Sequence, residues 1–221
     1  MRKYQTHGLF PIPVYMTDID RDFTEKELQF VKDQKNHCVE NSGNIHTKDN
    51  YILNRPEFKD IKNFIDECDS LLDIGAGGGT FVNMVKDKFS IVECQEISDI
   101  CVDNLNKYGY NTYHGDFNSL SFDRTYDLVT CWQVLEHIKD LHGFVKNASK
   151  ITNKYLVLEV PLLHSKGTRT RGIPSVDRWD GHYHFFSQKS MTKLFEQHFE
   201  ILDLQEPGIQ IPSLSVLLKK K

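Results

Sequence analysis

No apolar run in this sequence approaches the roughly 18 residues of a membrane-spanning helix, and residues 1–10 lack the apolar core of a signal peptide. The five cysteines, Cys38, Cys68, Cys94, Cys101 and Cys131, include no C-x-x-C pair. Neither a disulfide framework nor a zinc site is therefore expected, and no metal is assigned. An excess of basic residues is also missing: the net charge is -4, without the positive footprint of nucleic-acid binders. These absences lead to the expectation of a soluble, cytoplasmic protein with no membrane and no nucleic-acid partner. At 221 residues, 39% hydrophobic and 26% charged, the chain can hold one α/β domain with a sizeable core plus an extension.

The informative stretch is residues 71–81, LLDIGAGGGTF. Leu71, Leu72 and Ile74 read as a short buried strand, the glycines as a sharp turn, and Phe81, Val82, Met84 and Val85 restart at helical spacing. Strand, glycine turn and helix start together form a nucleotide-binding arrangement, because free backbone N–H groups converge there. A dinucleotide fingerprint G-x-G-x-x-G counted from Gly75 would need a glycine where Thr80 stands. The pattern present is D-x-G-x-G-x-G. Asp73 puts a carboxylate beside the turn, which suits a cationic ligand, such as a sulfonium nucleoside with an α-amino group, and repels an anion.

With this motif the sequence resembles the class I S-adenosylmethionine-dependent methyltransferases over about residues 70–221. That resemblance implies a doubly wound, Rossmann-like sheet of seven strands with a reversed last strand, and S-adenosylmethionine as cofactor. It implies cofactor contacts at Asp73, Gly75, Ala76 and Gly77. Residues 90–95 read as a second strand ending at Glu96, whose carboxylate, about 20 residues past the turn, can accept both hydroxyls of a ribose. Ile97 corresponds to the residue that covers the adenine, and Ser98 is expected to cap the helix that follows. A third strand over 111–114 runs into Gly115-Asp116-Phe117. By resemblance Asp116 accepts from the adenine amino group, with Phe117 beside it; the alternative is an aspartate that only turns the chain.

Residues 126–131, YDLVTC, read as the fourth strand, so Cys131, Trp132 and Gln133 should border cofactor and acceptor at the switch point. The run WQVLEHI resembles the family's LEH signature. His137 is a candidate general base, because imidazole titrates near neutrality; it equally suits a packing role. Ubiquinone-synthesis O-methyltransferases carry E-x-x-E-H here, and Gln133 in place of the first carboxylate weakens any hard-cation site. After a helix carrying Leu141, Phe144 and Val145, residues 155–160 read as the fifth strand. The long loop 162–181 is locally basic through Lys166, Arg169, Arg171 and Arg178, which suits an anionic or sugar-like acceptor. The segment GHYHFFS then resembles the family's GHxxFFS. Its His182 and His184 are further candidate bases, and Ser187 is a helix cap. Residues 199–204 and 214–218 give the closing strands, followed by a lysine tail.

The first third reads differently. Thr24 and Glu27 form a capping box ahead of Leu28, Phe30 and Val31, and a second helix follows Pro56 with Phe58, Ile61, Phe64 and Ile65 at helical spacing. Residues 1–66 resemble the opening of a group of iron/2-oxoglutarate oxygenases, but His46 and Asp49 lack the H-x-D spacing and no iron site is expected. They are read as an accessory segment, either a cap or a fusion remnant, ahead of a methyltransferase domain at 67–221. The function expected is methyl transfer to a small-molecule oxygen or nitrogen. The alternative is a non-catalytic module that binds S-adenosylmethionine or S-adenosylhomocysteine as a partner subunit. Nothing in the sequence sets an oligomeric state.

Overall fold

The computed structural model describes residues 64–161, 183–205 and 213–221. These form a seven-stranded sheet in the order β3-β2-β1-β4-β5-β7-β6. In chain order the strands are β1 (Ser70–Ile74), β2 (Ile91–Glu96), β3 (Asn111–His114), β4 (Tyr126–Trp132), β5 (Thr152–Pro161), β6 (Phe199–Gln205) and β7 (Ser213–Lys220). Strands β1 to β5 run parallel. β7 is antiparallel to both neighbours, the reversed last strand expected. Among the described residues four α-helices connect them: α1 (Thr80–Val85), α2 (Asp99–Lys107), α3 (Leu141–Ile151) and α4 (Gln188–Phe195).

Adjacent residues of β1 serve opposite faces, as the two-residue period of a strand requires. Leu72 and Ile74 join Val129, Leu156 and Leu158 under Phe144, Met191 and Phe195 of α3 and α4. Leu71 joins Leu128 and Val157 on the other face, with Phe81, Val82 and Leu105 of α1 and α2 and with Ile65. Both faces are covered, so the central strands read as nearly continuous apolar runs. The polar residues that interrupt them, Asp73, Thr130 and Glu159, cluster toward the carboxyl ends.

Several local expectations hold, and three change. Ser187 caps α4 in a reciprocal capping box with Ser190. Ser98 does occupy the N-cap of α2, but its hydroxyl makes no cap bond; separately, its backbone N–H donates to the Glu96 carboxylate at 2.8 Å. The terminal lysines are not a free tail. Lys219 and Lys220 continue β7, Lys220 lies over the Phe199 ring, and Lys221 Nζ donates to the Glu196 carbonyl. Cys68, Cys94 and Cys131 are buried free thiols, whereas Cys101 is disulfide-bonded, which the cysteine spacing did not announce. Phe64 and Ile65 are helical. The Thr24 capping box, the rest of the segment to residue 63, the basic loop with Lys166, Arg169, Arg171 and Arg178, and His182 lie outside the described residues. Among those described, no helix is long and apolar enough to cross a membrane.

Candidate functional site

The chain moves outward from β1 to β2 and β3, then returns to place β4 on the other side of β1. A crevice opens at such a reversal, outside the carboxyl ends of the strands. Four expected groups of residues stand at those ends: Asp73 to Gly77 at the end of β1 and just after it, Glu96 and Ile97 at β2, Asp116 and Phe117 after β3, and Cys131 and Gln133 at β4.

The glycine turn is held by β2. Gly75 and Ala76 donate their N–H groups to the Gln95 carbonyl at 2.8 and 3.1 Å. Gly75, Gly77 and Gly79 have φ of 67°, 54° and 81°, the left-handed region that costs a side chain roughly 1–2 kcal/mol. Two of these glycines differ in their surroundings. A Cβ on Gly75 would meet Val134 Cγ2 at 2.3 Å, whereas a Cβ on Gly77 would meet nothing within 4 Å. Gly75 is thus required by packing, and Gly77 leaves backbone open to an approaching molecule.

Glu96 is only 6% exposed, and its carboxylate organises the turn around it. Oε2 accepts from Gly77 at 2.8 Å, and Oε1 accepts from Ile97 at 2.7 Å and Ser98 at 2.8 Å. A carboxylate offers about four lone-pair sites, so three accepted bonds leave about one for a ligand hydroxyl. Holding both hydroxyls of a ribose requires Glu96 to give up one backbone partner. Beside it Ile97 is 61% exposed, an apolar side chain ready for an aromatic ring. The Ser98 hydroxyl is buried with no hydrogen-bond partner.

Asp73 sits deeper than the sequence suggested. It is 1% exposed and accepts from Thr130 Oγ1 at 2.7 Å across β1 and β4. Burial pushes its carboxyl up to about 7, against the Thr130 hydrogen bond and with help from the Glu96 charge. A cation brought close would favour the ionised form. Asp116 caps a single 3-10 turn, Phe117–Ser119, accepting from Asn118 N–H at 3.4 Å and Ser119 Oγ at 3.2 Å. It therefore does turn the chain, and it remains exposed. Phe117 points into the core against Phe144, so only its backbone borders the crevice. Cys131 is likewise fully buried among the residues under α3, and burial raises its thiol pKa.

The histidines divide. His184 is 7% exposed, its Nε2 lies 3.3 Å from the Lys139 carbonyl, and burial lowers its pKa. It packs as a neutral ring next to Phe186. His137 lies in the 3-10 turn Leu135–His137 with its side chain 32% exposed and Nε2 3.9 Å from Glu136 Oε1. Among the described residues no three His, Cys, Asp or Glu side chains gather as metal ligands.

Sequence reasoning missed Gln95, Thr130 and Glu159. Gln95 Oε1 accepts from Gly75 N–H at 3.1 Å while Nε2 donates to the Gly115 carbonyl at 2.6 Å, so one side chain ties the turns after β1 and β3. The available signal was a polar residue inside a buried strand, which needs an internal partner.

Comparison with known proteins agrees with this fold. A family described as methyltransferase domain matches residues 22–202, beginning inside the segment 1–66 read from the sequence as accessory. No curated protein matches the sequence. The fold is similar to an S-adenosylmethionine-dependent methyltransferase from Clostridium acetobutylicum, with TM-score 0.61 and 15% identity over 83% of this chain and 99% of that one. It is also similar to the N-methyltransferase NodS from Bradyrhizobium japonicum, solved with S-adenosyl-L-homocysteine, with TM-score 0.57 and 11% identity over 89% and 99%. A third is the Haloferax volcanii methyltransferase solved with its Trm112 activator, with TM-score 0.61 and 15% identity over 90% and 99%.

Proposed function

The chain belongs to the methyltransferase-domain family, and from that premise we propose that it transfers the methyl group of S-adenosylmethionine to an oxygen or nitrogen of a small molecule. The observation that carries this reading is the Glu96 carboxylate bound to the Gly77 N–H, with open space at Gly77 and an uncovered Ile97 alongside. A backbone cradle, an acceptor for a hydroxyl and an apolar cover for a flat ring are what an adenosine needs. The orphaned Ser98 hydroxyl offers one more polar group. Asp73 supplies a carboxylate for the cationic amino-acid end, and Asp116 an acceptor for an amino group on the base.

The bound cofactor supplies an already activated methyl on a sulfonium. What the protein adds is placement, holding the acceptor in line, plus a base only where the acceptor must lose a proton. Of the two candidate histidines described, His137 has the partly open side chain and is the preferred base; His184, packed against the Lys139 carbonyl, is suited to structure. The basic loop 162–181 suits a carboxylate- or phosphate-bearing acceptor. Residues 1–66 are proposed as a cap on the same domain at 67–221, because the family match opens at residue 22.

A second reading, a cofactor-binding module that acts through a partner subunit, draws on the Haloferax neighbour solved with an activator. Incubation with methyl-labelled S-adenosylmethionine and panels of amines, alcohols and their carboxylated or phosphorylated forms separates the two. Transfer by the isolated chain supports the enzyme. Cofactor binding with no transfer to the panel or to a cell extract supports the module.

A further inference from the structure

Gln133 is the one non-glycine residue with positive φ among those described, at 55°. A long side chain held there persists only where its surroundings over-determine it. Here those surroundings are Glu159, which pairs across β4 and β5 with the preceding residue, Trp132. The Gln133 N–H donates to the Glu159 carbonyl at 2.8 Å, and Gln133 Nε2 donates to Glu159 Oε1 at 3.0 Å. Glu159 is 6% exposed and is itself fixed through Oε2, which accepts from Ser215 Oγ at 3.2 Å.

The chemistry of the pair fixes the amide. A carboxylate only accepts, so the Gln133 amide must turn its NH₂ toward Glu159. Its carbonyl Oε1 then faces away, and no described residue donates to it. The next residue, Val134, packs over Gly75, so Gln133 is one residue along the chain from the side chain that covers the glycine turn.

We infer that Glu159 is a positioning residue that locks the Gln133 amide so that its carbonyl oxygen accepts an N–H or O–H from the nucleophile of the methyl acceptor. The inference rests on the methyl-transfer reading and narrows it to amines and alcohols that arrive carrying their proton, excluding thiolates and carbanions. In the transfer, the nitrogen or oxygen lone pair forms the bond to the methyl carbon. The carbon–sulfur pair leaves with sulfur as a neutral thioether. The proton passes to water or a base, since an amide carbonyl orients it but is too weakly basic to keep it.

Sinefungin tests this without a known acceptor, because an amine-bearing carbon replaces its methylated sulfur and offers an N–H where the methyl would be. Calorimetry would give the ratio of sinefungin to S-adenosylhomocysteine affinity for the full chain, for Gln133→Asn and for Glu159→Gln. Asparagine tolerates the left-handed backbone but is too short to keep the amide pair, and a glutamine at 159 permits either amide orientation. Each variant should lower the ratio by about tenfold, as for a hydrogen bond to a charged group, and the double variant by no more than either alone. General damage weakens both ligands alike and leaves the ratio unmoved. If Glu159→Gln does not fold, Gln133→Asn alone decides. An unchanged ratio overturns the inference, while failure of the wild-type chain to bind S-adenosylhomocysteine overturns the methyl-transfer reading beneath it.

Discussion

Glu96 accepts the backbone N–H of Gly77 at 2.8 Å, so the end of β2 and the glycine turn are one mechanical unit. Removing the carboxylate therefore removes a ligand group and loosens the backbone that faces the ligand. Glu96→Ala should weaken S-adenosylhomocysteine binding by at least about tenfold, the lower range for a charged hydrogen bond. Glu96→Gln should not rescue it, because its NH₂ would confront one of the N–H groups of Gly77, Ile97 or Ser98. Calorimetry on the two variants checks this, and unchanged affinity in either would remove Glu96 from the site.

Two glycines of that turn should respond differently to the same change. Gly75→Ala places a methyl against Val134 and should cost about 1–3 kcal/mol of stability for packing on top of about 1–2 kcal/mol for its left-handed backbone, visible as a lowered urea midpoint. Gly77→Ala meets no protein atom. It should cost only about 1–2 kcal/mol for its backbone conformation yet reduce cofactor affinity more than Gly75→Ala does relative to stability lost. Equal binding losses at equal stability would contradict the open cradle at Gly77.

Asp73 makes both stability and binding depend on pH. Its folded pKa, about 7, lies above its ordinary value of 3.8, so the folded state holds a proton that the unfolded chain releases. The ligand-free protein should lose stability as pH rises from about 4 to about 7, by up to roughly 1.4 kcal/mol per pH unit, and no more above that. A cationic ligand favours the carboxylate, so affinity should increase through the same window with proton release. Asp73→Asn should flatten the stability profile between pH 4 and 7. His184 works with the opposite sign: its lowered pKa removes stability as pH falls below about 6.5. The difference between Asp73→Asn and wild type isolates the first effect; identical profiles would contradict it.

His184 and His137 should separate structure from turnover. His184→Ala opens a buried site and leaves the Lys139 carbonyl without its ring partner, at a cost of about 1–3 kcal/mol. His137→Ala, at a half-open position, should leave S-adenosylhomocysteine affinity within about twofold of wild type, a loss of under 0.5 kcal/mol, while reducing transfer to any acceptor that must be deprotonated. Undiminished transfer to such an acceptor would exclude His137 as the base.

The strands were legible because both faces of the parallel sheet are covered: runs such as YLVLEV and YDLVTC have no polar alternation to confuse them, and Asn111–His114 was read to the residue. The reversed β7 came from the family resemblance. Strand ends were less legible, since pairing with Tyr126 of β4 extends β5 back to Thr152, and pairing with β5 and β6 carries β7 through Lys219 and Lys220. At the site, the acidic residues and glycines announce themselves by type and spacing. Gln95, Thr130 and Glu159 do not, because their importance lies in partners that only the register of neighbouring strands brings together. Phe117 and Cys131 show the converse: position along the chain marks them, while a 3-10 turn at Phe117 and the strand period at Cys131 turn their side chains into the core.

The central claim is that the crevice around Gly77 and Glu96 binds a sulfonium nucleoside and its product. Titration of the full chain with S-adenosylhomocysteine in a calorimeter tests it directly. The account predicts one-to-one binding that is lost or weakened at least about tenfold in Glu96→Ala. No binding by the wild-type chain, or equal binding by the variant, would contradict it.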